Sequence, residues 1–209
     1  MLSTTKQVQT ILGLPVDGIS GPATAAAVKA FQTAHGLTPD GVVGPKTAAV
    51  LGIVLPDVPE GRDATDAYYS HLVYTEGVGG RINVSGAWEA ANLKYVTLHT
   101  GQRVRLHNKV ADEFVTLFAE ACLKGAYTPR SVQTYVPRHT LWDAAKSISL
   151  HSYGIAIDFD PELNHNGAAP GTARLDSAPG FVQVFRDAGW AWGGDWHMRD
   201  TMHFQRAQP

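Results

Sequence analysis

The sequence predicts a compact helical module followed by a larger α+β domain. Three observations predict it. The segments LPVDGISGPATAAAV (Leu14–Val28) and LTPDGVVGPKTAAVL (Leu37–Leu51) are copies offset by 23 residues, and a repeat of that period marks stacked supersecondary units. Val54–Asp66 follows with two prolines, four acidic residues and few bulky groups, the composition of an exposed linker. Beyond it, segments of period two and of helical period succeed one another without regular alternation, which points to α+β. The expected boundaries are 1–53 for the module, 54–67 for the linker and 68–209 for the second domain.

Each copy of the repeat reads Asp-Gly, then Gly-Pro two residues on, then Thr-Ala-Ala. The Asp-Gly is a turn, and the proline stands where a helix can begin. Between the turns Ala27, Ala30, Phe31 and Ala34 fall at helical spacing, closed by Gly36. In the second domain Tyr95–Thr100 reads as a strand. Leu106, Val110, Phe114, Leu117, Phe118 and Ala121 form one helical stripe ending at Gly125. Ser131–Val136 is a further strand, Phe181–Ala188 a helix and Thr201–Gln205 a last strand. In SLHSYGIAIDFD (Ser149–Asp160), Ile155, Ile157 and Phe159 alternate with Ala156, Asp158 and Asp160, the pattern of a half-buried strand.

Composition narrows the function. A net charge of −2 and the lack of any basic run argue against a nucleic-acid partner. No segment approaches the ~20 apolar residues that would span a bilayer, so no membrane insertion is expected. Cys122 is the single cysteine, which excludes an intramolecular disulfide and a thiolate zinc site. Its place near the apolar stripe of its helix makes it a buried structural thiol.

Two carboxylates on a strand beside a histidine raise the prospect of a metal. A catalytic zinc takes three protein ligands of N or O type and keeps one position open. His151 and Asp158 supply two, and Gly154 lets the chain turn between them. The third is expected from the tail, WGGDWHMRDTMHFQ, where Met202 and Phe204 face the core and His203 faces away. Asp200, three residues earlier, is placed as a general base beside such a ligand. His197 rivals His203, Asp160 rivals Asp158, and Asp195 rivals Asp200. Ser149 lacks a nucleophile elbow and is expected to hydrogen-bond locally. Trp190, Trp192 and Trp196 are candidates for a cleft wall or for the core.

These motifs carry two resemblances. The repeat, through Val8, Gln9, Leu12, Gly13, Asp17, Gly18, Gly21, Thr24, Val28, Phe31, Gln32, Asp40, Gly41, Gly44 and Thr47, resembles the three-helix peptidoglycan-binding module of cell-wall hydrolases. SLHSYGIAIDFD matches the S-x-H-x-x-G-x-A-x-D signature of the zinc peptidases that cut D-amino-acid-containing stem peptides, and DTMHF matches their acid-x-x-His motif. That group holds D-alanyl-D-alanine carboxypeptidases and L-alanyl-D-glutamate endopeptidases. The resemblance implies an antiparallel sheet with helices and one zinc ion on His151, Asp158 and His203. It also implies Asp200 as the base and Arg138 as the oxyanion-stabilising group, with Arg103, Arg105 and Arg130 as rivals.

The expected function is therefore that of a monomeric peptidoglycan-degrading zinc peptidase, an endolysin cutting between L-alanine and D-glutamate. A D-alanyl-D-alanine carboxypeptidase on the same fold is the alternative, and a non-catalytic wall-binding protein with a structural zinc is a third reading. The first residues hold one lysine and no apolar run of signal-peptide length. Synthesis in the cytoplasm of a bacterial host and release through a holin during phage lysis is the expectation.

Overall fold

The computed structural model describes residues 4–18, 22–39, 41, 43, 45–54 and 59–207. Helix α1 (Thr4–Ile11), α2 (Pro22–Ala34) and α3 (Pro45–Leu51) make the module, with prolines opening the second and third as the repeat requires. Their apolar faces meet in a small core of Val8, Val28, Ala48, Leu51 and Ile53. The repeat is also a repeat of hydrogen bonds. Gln9 and Gln32 are both fully buried; each accepts from a turn glycine, Gly18 N–H and Gly41 N–H, at 2.8 Å. Each donates from Nε2 to a threonine of the next helix, Thr24 at 3.3 Å and Thr47 at 3.1 Å. Each turn is thereby clamped to the helix it introduces. Gly21, Asp40 and Gly44 of the repeat lie outside the described residues.

The stretch expected to be an exposed linker departs from that expectation in its second half. Residues 55–58 lie outside the described residues, but Arg62–Tyr68 forms helix α4. Thr65 is buried on it, and Asp66 accepts from the Tyr153 hydroxyl at 2.5 Å and from Leu72 N–H at 3.1 Å. The acidic residues that suggested a solvated linker include one that anchors the helix to the second domain.

That domain continues with hairpin β1 (Tyr74–Glu76) and β2 (Ile82–Val84), then α5 (Gly86–Asn92). A second antiparallel pair, β3 (Leu93–Thr97) and β4 (Arg103–His107), leads into the long α6 (Asn108–Gly125). Strands β5 (Val132–Gln133), β6 (Ala156–Phe159), β7 (Ala191–Trp192) and β8 (His203–Gln205), with α7 (Pro179–Asp187) between β6 and β7, complete the chain. The four form an antiparallel sheet in the order β5-β6-β8-β7. Phe114 and Phe118 of α6 and Phe181 and Phe185 of α7 pack with Phe159 and Phe204 of the sheet, all fully buried. Ring centroids there stand 5.1 to 6.4 Å apart, the spacing of edge and offset contacts. Cys122 is buried in this core, and burial raises its thiol above the ordinary range.

The expected strand Tyr95–Thr100 begins two residues earlier and ends at Thr97, where the chain turns through Gly101. Ser131–Val136 shortens to two residues because Thr134 leaves the ladder for the site. Among the described residues no helix is long and apolar enough to cross a membrane. The module touches the second domain at α7, where Thr5 donates from N and Oγ1 to Asp187 at 3.3 and 2.5 Å and Gln183 donates to the same carboxylate at 2.7 Å.

Candidate metal centre and its cleft

Three elements deliver the polar groups. The 3-10 turn Leu150–Tyr153 carries His151. The Ser149 oxygen accepts from its N–H at 3.4 Å, and Gly154 at φ +70° ends the turn in the left-handed conformation. Strands β6 and β8 pair antiparallel with Asp158 directly opposite His203. Opposed residues share a face, so the fully buried Ile157, Phe159 and Phe204 hold Asp158 and His203 on the side away from the core. Met202, expected to accompany Phe204 into the core, is half-buried and lines the cleft.

Hydrogen bonds set the proton positions. His151 Nδ1 lies 2.7 Å from the Thr134 carbonyl, which only accepts, so Nδ1 carries the proton and Nε2 a lone pair. His203 Nε2 donates to Gln205 Oε1 at 3.1 Å, and that amide is oriented by its own donation to the Ala207 carbonyl at 2.9 Å. His203 Nδ1 is left with the free lone pair. It stands 3.3 Å from His151 Nε2 and 3.0 Å from Asp158 Oδ1, while His151 Nε2 is 3.2 Å from Asp158 Oδ2. Two lone pairs and a carboxylate converging in this way repel one another unless a cation lies among them. Ligand bonds of about 2.0–2.1 Å at tetrahedral angles give ligand–ligand edges of about 3.3 Å, so the donor set fits zinc in type and spacing. His151, Asp158 and His203 are the group that could hold a metal among the described residues.

The same closeness couples the charges of the cluster when a proton rather than a metal lies between the rings and the carboxylate. Burial pushes the Asp158 carboxyl up, but the charges and hydrogen bonds of His151 and His203 outweigh it and hold the group far below the usual carboxylate range. Burial would lower His203, yet its bond to Asp158 and the charges of Asp158 and Asp200 raise it. The Asp200 carboxyl is raised, first by burial; His203 opposes this and Asp158 adds to it. Asp200 Oδ1 is buried without a hydrogen-bond partner. Its backbone is pinned by donation to the Gly193 carbonyl at 2.9 Å, and a Cβ on Gly193 would meet the Asp200 carbonyl at 2.3 Å.

All these groups line one cleft of about 650 Å3, with Arg138, Leu141, Trp142, Asn166 and Trp196 among its walls. Arg138 is fixed through Ser152, whose oxygen accepts from Arg138 N–H and donates to the Arg138 carbonyl, both at 2.9 Å. The guanidinium donates to the His139 carbonyl at 3.3 Å and lies 5.3 Å from the Trp142 ring centre. The rivals stand elsewhere. Arg105 pairs with Glu89 at 3.2 Å, Arg103 covers Tyr95, and neither they nor Arg130 line the cleft. His197 is exposed, and Asp195 forms an ion pair with Arg186. Asp160, the rival of Asp158, does not line the cleft. It is fully buried at φ +40° and accepts from the Tyr127 hydroxyl at 2.5 Å and from Arg130 and Ser131 N–H at 2.8 and 2.6 Å. Of the three tryptophans only Trp196 lines the cleft, 5.3 Å from the His203 ring; Trp190 and Trp192 are buried.

Sequence reasoning missed Gln205, Asn166 and Arg62. Gln205 shares strand parity with His203, a signal that was available. Asn166 hydrogen-bonds to Asp200 and reaches it by an isolated bridge between remote loops, which no local pattern announces. Arg62 sits in the stretch read as linker and lines the cleft.

A half-buried acid with one unpartnered oxygen, beside a two-histidine, one-carboxylate cluster in an open cleft, is an arrangement that hydrolytic sites use. Comparison with known families carries this further. Residues 6–51 match the family described as a peptidoglycan binding domain, and residues 143–206 match that described as D-alanyl-D-alanine carboxypeptidase. No curated protein and no solved structure matches the chain. The chain thus joins a peptidoglycan-binding domain to a carboxypeptidase-like peptidase domain acting on peptidoglycan. Arg138 lies just before the matched stretch.

Proposed function

We propose that the protein is a zinc-dependent peptidase that hydrolyses an amide of the peptidoglycan stem peptide, in first place the bond between L-alanine and D-glutamate. The observation that carries this reading is the convergence of His151 Nε2, His203 Nδ1 and Asp158 beside the unpaired Asp200 Oδ1. Zinc held by these three residues would supply a Lewis acid and lower the pKa of a bound water.

The chain's own residues do the rest. The Thr134 carbonyl and Gln205 keep both imidazoles in the tautomers that expose their ligating nitrogens. Asp200, raised by burial and oriented by Asn166, takes a proton from the attacking water and passes it to the leaving amine. Arg138 faces the cleft and stabilises charge on the carbonyl oxygen as the water adds. The wall-binding module concentrates the enzyme on its polymer, the arrangement of an endolysin.

A D-alanyl-D-alanine carboxypeptidase is the second reading, favoured by the description of the family matched at 143–206. A non-catalytic wall-binding role is disfavoured, because a structural metal has no use for an unligated buried acid. Mass spectrometry of digested peptidoglycan separates the readings. New L-alanine carboxyl and D-glutamate amino termini support the first, released D-alanine supports the second, and no new termini overturn both. Chelator-treated enzyme that clears wall suspensions at full rate would overturn the metal. Asp200→Ala is expected to abolish cleavage while the protein still binds zinc; loss of zinc would reassign Asp200 as a ligand.

A further inference from the structure

We propose that Arg62, on the helix at the junction of the two domains, is a substrate-binding residue that takes the free carboxylate of the residue leaving with the amine. This rests on the peptidase reading above. Two arginines line the cleft, Arg138 and the exposed Arg62. The arginines held in ion pairs among the described residues are Arg105, Arg186, Arg199 and Arg206. The carboxylates lining the cleft are Asp158, which faces the two histidines, and Asp200, whose buried Oδ1 is unpartnered. The cleft therefore has at its rim an arginine that forms no ion pair among the described residues and that the proposed chemistry does not use.

Arg62 is also held in place. The Thr65 hydroxyl donates to the Gly61 carbonyl at 2.7 Å and is buried with its residue. Asp66, four residues on, accepts from the Tyr153 hydroxyl at 2.5 Å. Tyr153 closes the same 3-10 turn that carries His151. The helix bearing Arg62 is thus bonded to the turn bearing a proposed ligand, which fixes the backbone from which the Arg62 side chain extends.

Both amides under consideration offer the matching anion. Cutting before D-glutamate releases a residue whose amine-bearing carbon also carries an α-carboxyl group. Cutting before a terminal D-alanine releases one whose amine-bearing carbon carries the chain-terminal carboxylate. In each case the anion lies two bonds from the leaving nitrogen, and a guanidinium fork fits a carboxylate in two-point contact.

The test uses the full chain loaded with zinc and two peptide pairs. One pair is L-alanyl-γ-D-glutamyl-L-lysine with the D-glutamate α-carboxyl free or amidated. The other is acetyl-L-lysyl-D-alanyl-D-alanine with its terminal carboxyl free or amidated. For whichever pair is cut, the free acid is expected to have a KM about tenfold lower than the amide, the effect of one charge-assisted hydrogen bond. Arg62→Gln is expected to bring the acid-to-amide ratio close to one by raising KM rather than lowering kcat. Arg62→Lys is expected to restore part of the ratio. A ratio unchanged in Arg62→Gln overturns the proposal, and so does an equal loss on acid and amide, which would mark a structural role for the helix. The pair that is cut identifies the source of the carboxylate. Cleavage of no peptide by the wild type overturns the peptidase reading instead, whatever Arg62→Gln does.

Discussion

Proton placement on two histidines decides whether the cluster can take a cation, and Gln205 decides one of them. Its Oε1 can only accept, so it holds the His203 proton on Nε2 and leaves Nδ1 free. Gln205→Ala removes that constraint and is expected to weaken zinc binding by about 10- to 100-fold, the usual effect of losing a ligand's hydrogen-bond partner. Competition against a chromophoric chelator measures it, and excess zinc should restore activity. The three proposed ligands were legible in the sequence because each belongs to a spaced motif on a strand or beside one. Their supports were harder to read. Thr134 acts through its carbonyl, which every residue type possesses, so no side-chain pattern could disclose it.

At the scale of elements, α6 begins on an uncommon cap. His107 Nδ1 accepts from Lys109 N–H at 3.1 Å while Nε2 donates to the Tyr69 carbonyl at 3.1 Å. The first bond requires the neutral ring, and burial lowers its pKa to about 4. The unfolded chain takes up this proton near pH 6.5, before the folded one does. Stability is therefore full above pH 6.5 and is lost as pH falls toward 4. At pH 5 the loss is about 2 kcal/mol. Urea midpoints at pH 7.5 and 5 should show it, and His107→Asn, which keeps a capping acceptor without the titration, should lose less over the same interval.

The short loop before Asp200 offers a second check at this scale. Gly193→Ala would place a Cβ against the Asp200 carbonyl. It is expected to lower kcat at least tenfold by shifting the base, while zinc content stays unchanged. Strand lengths were the least legible elements. Val132–Gln133 reads as the start of a longer strand because nothing local shows that Thr134 will turn toward His151.

The molecule as a whole joins a module folded by near neighbours to a domain folded by distant ones. Gln9 bonds eight, nine and fifteen positions ahead, to Asp17, Gly18 and Thr24, and Gln32 bonds nine and fifteen ahead, to Gly41 and Thr47, which is why the repeat alone announced the module. The module meets the second domain through Thr5 on α7, an element that does not line the cleft. Removing residues 1–53 is expected to slow clearance of wall suspensions at least tenfold while cleavage of a soluble stem peptide changes little, a difference that turbidity and peptide assays measure side by side.

The His151–His203 contact spans 52 positions of chain. With zinc bound as proposed, that contact becomes a removable cross-link between a turn and a strand of the α+β domain, and among the described residues the helical module contributes no ligand to it. Binding at a thousandfold excess over Kd stabilises by about 4 kcal/mol, or roughly 10 °C for a domain of this size. Calorimetry should then show one transition that moves with free zinc and one that ignores it, so that chelation loosens the scissors and leaves the grip on the wall intact.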